Sequence, residues 1–472
     1  MDNTSLTRFM SGIWDQDIVP ALADYIRIPN KSPMFDSEWE KHGHMDKVVD
    51  LFAAWARGKI AGLPGATLEI VKPAGRTPLI FIEVPGKANG TVFMYGHLDK
   101  QPEMTGWSEG MGPWTPVLKD GKLYGRGGAD DGYAMFAALS ALLALEEQNI
   151  AHARAVIAIE AGEESGSPDL PFYIEHLAAR IGVPDLIVCL DSGCGNYEQL
   201  WLTTSLRGIA AGKLTVRVLT EGVHSGDASG IVPSSFRILR RLLSRIEDEA
   251  TGAIKLDELF VTVPADRLEQ ARAAASTLGD EIFTKLPFAG ATRPMAANRV
   301  EMILNRTWKP QLAVVGVDGY PPPESAGNVL LHFTIAKLSM RLPPTCDAPA
   351  AVKVLKRSLE ADPPYGAEVS FETETGQSGW NAPSLTSWLE ASLAAASNAH
   401  FGKPVGFMGE GGSIPFMAML GEKFPKTQFV VTGVLGPGSN AHGPNEFLHI
   451  PFAKKLSACI ADVLADHAKA HK

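Results

Sequence analysis

The chain has 472 residues, 45% of them hydrophobic and 20% charged, with a formal net charge of −10. That composition is ordinary for a globular protein, and the length exceeds one typical core, so two domains are expected. Net negative charge without a Lys/Arg block excludes nucleic acid and anionic membrane surfaces as partners, and no apolar stretch approaches a transmembrane span. The first residues, MDNTSLTRFMSGIWDQDIVPAL, carry acids where a signal peptide needs a basic end and an apolar run. Cys189, Cys194, Cys346 and Cys459 have neither disulfide-framework nor zinc-knuckle spacing. A reducing, cytoplasmic location is therefore expected.

Residues 1–60 read as helical, because LADYIRI and MDKVVDLFAAWARGKI repeat apolar residues at three- and four-residue spacing. Apolar, β-branched runs then alternate with helical stretches to about residue 206. TVFMY before His97, AVIAI before Glu160 and DLIVCL before Asp191 each read as a buried strand. YAMFAALSALLALEEQ at 133–148 is the clearest helix and is opened by Asp130-Asp131-Gly132. Capping of free N–H groups accounts for one of these two Asp residues but not for both.

From residue 207 the character changes. GIAAGKLTVRVLT and AKLSMRL alternate between two faces, as antiparallel strands solvated on one side do, and SSFRILRRLLSRIEDE is an amphipathic helix. Near residue 380 the helix LTSWLEASLAAASNA and the apolar strand QFVVTGV restore the first pattern. The expected fold is α/β. A domain of residues 1–206 and 381–472, with a mostly parallel mixed sheet flanked by helices, is interrupted by an α+β domain of residues 207–380 with an antiparallel sheet plus helices.

Five short clusters carry the chemistry: GHLDK at 96–100, GGADDG at 127–132, EAGEES at 160–165, LDSG at 190–193 and NAHGPNE at 440–446. Most follow strand-like runs, and groups just past the carboxyl ends of parallel strands converge on one crevice. His97 and Asp99 share a strand face, so His97 suits a metal while Asp99 holds its second nitrogen. A lone His at a strand end is as often simply hydrogen-bonded. Of Asp130 and Asp131, one carboxylate can bridge two ions, with Gly127, Gly128 and Gly132 permitting close backbone approach. Adjacent acids such as Glu163 and Glu164 usually mark a solvated surface, yet here a buried strand delivers them. One can bind metal while its neighbour acts as general base. Asp191 ends a strand, and His442 lies in a Gly/Pro-rich loop with little core to fill. Four converging carboxylates, Asp130, Glu163, Glu164 and Asp191, would repel in a partly dry crevice, and two divalent cations remove that cost.

With GRGGADDG, EAGEESGS, SLRG, HSG, SMRLPP and GEGGSIP added in order, the chain resembles the dinuclear-metal exopeptidases and deacylases of the peptidase M20 type, in particular the carnosinase-like cytosolic dipeptidases. The resemblance spans nearly the whole chain. It implies one metal on His97, Asp130 and Asp191 and another on Asp130, Glu164 and His442, with Asp130 bridging. It also implies Glu163 as general base acting on a metal-bridging hydroxide, Asp99 behind His97, and a cis peptide bond between Asp130 and Asp131. The inserted domain becomes a lid and dimer interface, and His224 of one subunit of a homodimer stabilises the oxyanion in its partner's site. Arg341 grips the substrate carboxylate, a task suited to its fork geometry, and Asn328 and Ser413 touch the substrate. The implied substrate is a dipeptide or short peptide with a free C-terminal carboxylate. Zn²⁺, Mn²⁺ or Co²⁺ suit ligands of this kind, two ions per subunit. An N-acyl-amino-acid deacylase would use the same centre, whereas a non-catalytic binding homologue is disfavoured by the complete ligand set. One departure from the family pattern is SGSPDLPFYIEHL, where Pro168 and Pro171 follow the Glu pair.

Overall fold

The computed structural model describes residues 1–374 and 376–472. The chain divides into two compact units: Met1–Thr204 with Ala382–Met408 and Met419–Lys472, and Ser205–Asn381 with Gly409–Ala418. The expected division left 409–418 with the first unit. The structure groups it with the second, where Arg207 Nε donates to Gly411 O at 3.0 Å and Ser413 Oγ donates to Arg207 O at 2.7 Å.

The first unit is built on a six-stranded sheet in the order Thr67–Val71, Leu79–Val84, Ala153–Glu160, Ala88–His97, Leu186–Cys189, Gln428–Val431. Pairings among the last four are parallel, and Leu79–Val84 runs against both its neighbours. The central strands are apolar on both faces: every residue of Leu186–Cys189, and all but Arg154 in Ala153–Glu160, is buried. Both faces must therefore be covered. Helix Ala134–Glu147, apolar nearly all round, packs against the long helix Ile450–Ala470, which in turn meets Ser387–Phe401. The N-terminal helices are pinned to the same bundle by Trp14 Nε1, which donates to Ser457 Oγ at 3.1 Å. Each fully buried aliphatic side chain in these layers contributes about 1.5–3 kcal/mol, enough to make the sheet a rigid mount.

Parallel pairing is what positions the site. Register sets His97 opposite Glu160 and Tyr95 opposite Cys189, so the carboxyl ends of three neighbouring strands lie along one edge. Among the described residues no helix is long and apolar enough to cross a membrane.

The second unit contains a four-stranded antiparallel sheet, ordered Gln311–Asp318, Phe333–Leu342, Gly208–Arg217, Glu368–Thr373. Phe333–Leu342 alternates buried with less buried residues along its length, so one face carries the core. Ser235–Ile246 and Ala348–Glu360 cover that face through Ile238, Leu242 and Leu355, packed with Leu214, Met340 and Phe371. Both helices start on side-chain caps, Ser234 to Arg237 N and Asp347 to Ala350 N.

Candidate metal centre

Past the strand end at His97, Asp99 turns its buried carboxylate to the next strand's loop. Its two oxygens accept the backbone N–H groups of Glu163 at 3.1 Å and Glu164 at 3.0 Å. His97 Nδ1 lies 3.4 Å from Asp99 Oδ1 and 3.2 Å from the Asp99 main-chain oxygen. The ring is thus held from behind while Nε2 faces forward, 3.4 Å from Asp130 Oδ1 and 3.8 Å from Asp191 Oδ1.

Asp130 comes from the loop before helix Ala134–Glu147, and its peptide bond to Asp131 is cis. Neither Asp caps that helix, whose start has no side-chain cap. Asp131 Oδ2 instead accepts the His97 N–H at 3.3 Å. Gly96 makes this approach possible, since a Cβ there would stand 2.8 Å from Asp131 Oδ2 and 2.4 Å from Ala134 Cβ. Gly132 is required for the same reason, as its Cβ would meet the Tyr25 ring at 2.3 Å.

From the other side comes His442, with Nε2 at 3.0 Å from Asp130 Oδ2 and 3.5 Å from Glu164 Oε2. Its backbone adopts φ 64, in the left-handed region, and Asn440 and Asn445 do likewise. Such a loop needs an anchor. Arg126 and Glu446 supply it as a buried ion pair, Nη1 to Oε2 at 2.6 Å. Glu446 Oε1 also accepts the Gly127 N–H at 2.9 Å, and Arg126 Nη2 donates to Gly443 O at 2.8 Å. The loops bearing Asp130 and His442 are therefore tied together a few residues from each ligand.

Two groups of possible ligand atoms result: His97, Asp130 and Asp191, and Asp130, Glu164 and His442, each with its atoms within 4.8 Å of one another. The donor set fits divalent ions. His97 Nε2 and Glu164 Oε1 are buried yet have no hydrogen-bond partner among the described residues. Burial, reinforced by Asp130, pushes Glu164 well above the ordinary carboxylate range, and burial, reinforced by Asp191, does the same for Glu163. Asp191 is raised by burial to about 6. Burial acts against a charged His97, but Asp130, Asp191 and Asp99 outweigh it and lift the ring well above its ordinary value. The protein alone thus holds protons where bound cations would relieve the same charge conflict.

Four further residues named from the sequence lie in the second unit. His224 sits on the short strand Val223–His224, exposed, paired to Val329, and Ser225 N donates to Asn328 O at 2.9 Å. Asn328, just before the strand Val329–Leu330, is thereby brought next to the His224 strand. Arg341, on Phe333–Leu342, donates from Nη1 to Ser413 Oγ at 3.2 Å. Among the described residues no hydrogen bond or ion pair joins the first of these pairs to the second. Sequence reasoning missed Arg126, Glu446 and Gln101, whose Nε2 donates to Glu164 Oε2 at 2.5 Å. Arg126 and Glu446 stand inside the quoted motifs, and a lone charge of each sign there is the signal that could have paired them.

The model of Peptidase family M20/M25/M40 matches residues 93–466. The chain belongs to that family. It is an enzyme of the metallopeptidase class. Among its relatives, the cysteinylglycine-S-conjugate dipeptidase of Corynebacterium striatum is 27% identical over 397 residues, covering 80% of this chain and 82% of that protein. The Beta-Ala-His dipeptidase of Homo sapiens is 30% identical over 291 residues, 60% of this chain and 56% of the relative, so that match spans little more than half of the human protein. Human carnosine dipeptidase 1 shares the fold of this M20 peptidase, with a TM-score of 0.80 and 21% identity over 99% of both chains. An M20 family metallo-carboxypeptidase from Sulfolobus solfataricus does so with a TM-score of 0.74 and 19% identity, over 96% of this chain and 100% of the other.

Proposed function

We propose that this M20 peptidase hydrolyses the peptide bond of dipeptides and short peptides bearing a free C-terminal carboxylate, with two divalent ions per subunit. The observation that carries the reading is the pair of ligand groups sharing Asp130, with Glu163 beside them on a backbone held by Asp99. The relatives named as dipeptidases support a dipeptide as the substrate. His97, Asp130 and Asp191 hold one ion, and Asp130, Glu164 and His442 hold the other. Zn²⁺ and Mn²⁺ suit this carboxylate and imidazole set, and Co²⁺ is compatible with it.

When bound, the ions polarise the scissile carbonyl and acidify a water. Glu163 takes the proton from that water and delivers it to the leaving amine. Burial, reinforced by Asp191, raises its affinity for a proton, in keeping with a group that carries one from water to amine. Asp99 fixes where Glu163 stands. Arg341 receives the substrate carboxylate, with Asn328 and Ser413 as further substrate contacts.

The same proposal makes the enzyme a cytoplasmic homodimer in which His224 donates to the oxyanion in the partner's site, a contact worth about 3 kcal/mol where such donors have been removed. Supporting this are the exposure of His224 and the edge strand Gln311–Asp318, which leaves Val314, Val315 and Val317 exposed. An apolar, unpaired edge of this kind invites a second strand. All four cysteines are free and buried, in keeping with a reducing compartment.

The test is a panel of dipeptides and N-acyl amino acids, assayed on metal-depleted enzyme reconstituted ion by ion. Turnover of dipeptides is expected. Turnover of N-acyl amino acids alone would make the enzyme a deacylase instead.

A further inference from the structure

Arg207, in the SLRG motif, is a buried charge to which the hydrolytic steps assign no task. Both its main chain and its side chain address the GEGGS loop. Its N–H donates to Gly412 O at 3.1 Å, its Nε donates to Gly411 O at 3.0 Å, and its carbonyl accepts the Ser413 hydroxyl at 2.7 Å. With the Ser413 proton committed to Arg207 O, the Ser413 oxygen is left as an acceptor, and Arg341 Nη1 donates to it at 3.2 Å. Arg207 Nη1 also donates to Asn305 O at 3.4 Å. The loop is seated closely, for a Cβ at Gly411 would stand 3.2 Å from both Arg207 Nη2 and Arg306 Cγ.

Charge adds to this geometry. The hydrogen-bond acceptors found for the Arg207 side chain are main-chain oxygens. Burial first, then the positive charges of Arg341 and Arg306, hold its pKa down to about 10, with Glu410 acting in the opposite sense. A group of guanidiniums under mutual repulsion is relieved when an anion arrives beside it.

We propose that Arg207 is a positioning residue for the substrate's terminal carboxylate: it fixes Ser413 against Arg341 and places a second, immobile positive charge behind that guanidinium. The inference rests on the reading of Arg341 as the grip on the carboxylate. Its effect belongs to substrate binding and not to the hydrolytic step.

The test compares Arg207→Gln, Arg207→Lys, Ser413→Ala and Arg341→Lys in the full-length, metal-loaded enzyme, using one dipeptide as free acid and as C-terminal amide. Arg207→Gln is expected to raise KM for the free acid about tenfold with kcat changed less than about threefold, and to lower the free-acid to amide ratio of kcat/KM by a similar factor. Arg207→Lys, which keeps the charge but loses the fork, should recover part of that ratio. Parallel losses on acid and amide, or an unchanged KM, overturn the inference. If Arg207→Gln fails to fold, Arg207→Lys and Ser413→Ala decide: no rise in KM for either overturns it. A collapsed ratio in Arg341→Lys beside an unchanged one in the Arg207 variants defeats this inference alone, whereas an unchanged ratio in Arg341→Lys defeats the reading beneath it.

Discussion

Asp99 accepts the backbone N–H of Glu163 at 3.1 Å through one carboxylate oxygen, while the other takes the N–H of Glu164 at 3.0 Å. One side chain past the end of one strand thus sets the position of two side chains past the end of its neighbour. Hydrogen bonds to a charged acceptor of this kind are worth about 1.5–3 kcal/mol each. Asp99→Asn keeps one acceptor and loses the other. The expected result is a loss of about 10–100-fold in metal affinity or in activity, read by calorimetric metal titration and initial rates.

Glu163→Gln is close to isosteric and removes only the capacity to take a proton. Metal content should stay at two ions per chain while kcat falls about 10²–10⁴-fold. Metal analysis and single-turnover assays on the same preparation check both halves. Near-normal turnover would show that another group serves as the base.

The Arg126–Glu446 pair predicts a different signature. Glu446→Gln leaves the Arg126 charge buried without its counterion, at a cost of about 3–5 kcal/mol. The His442 loop loosens, so the ion on Asp130, Glu164 and His442 should be lost before the ion on His97, Asp130 and Asp191. Ion stoichiometry under mild chelation, read alongside thermal melting, distinguishes this from general unfolding.

Burial raises Asp191 from 3.8 to about 6 and Glu160 from 4.5 to about 8. The folded, metal-free chain therefore keeps protons that the unfolded chain releases. The stability these groups lend is fully present below about pH 4 and is lost as pH rises through their folded pKa values. Metal-stripped protein should melt at a lower temperature near pH 8.5 than near pH 5.5, and divalent ions should recover more stability at the higher pH as they displace the protons. Equal melting temperatures across that range would count against the charge balance described for the site.

His97, Asp130, Glu164, Asp191 and His442 are legible in the chain because four of the clusters bearing them follow β-branched, apolar runs that read as buried strands, and parallel strands deliver their ends to one edge. Arg126 and Glu446 carry no periodic signal. They meet because Phe447 pairs with Tyr124 and His449 with Lys122, a strand register that sequence spacing does not reveal. The Gly409–Ala418 segment groups with the second unit, where it bonds to Arg207, a contact that sequence spacing likewise does not reveal. The capping reading of the Asp130-Asp131 pair gave way because Asp131 turns to the His97 main chain instead of the helix.

The central claim is a shared centre in which Asp130 serves two ions and both are needed for dipeptide hydrolysis. Stepwise metal titration of stripped enzyme, with ion binding and dipeptide turnover followed in parallel, tests it most directly. The expected result is two ions per chain, activity that appears with occupancy, one ion lost in His442→Ala, and both weakened in Asp130→Ala. A single bound ion supporting full turnover, or two bound ions with no hydrolysis of any dipeptide, would contradict it.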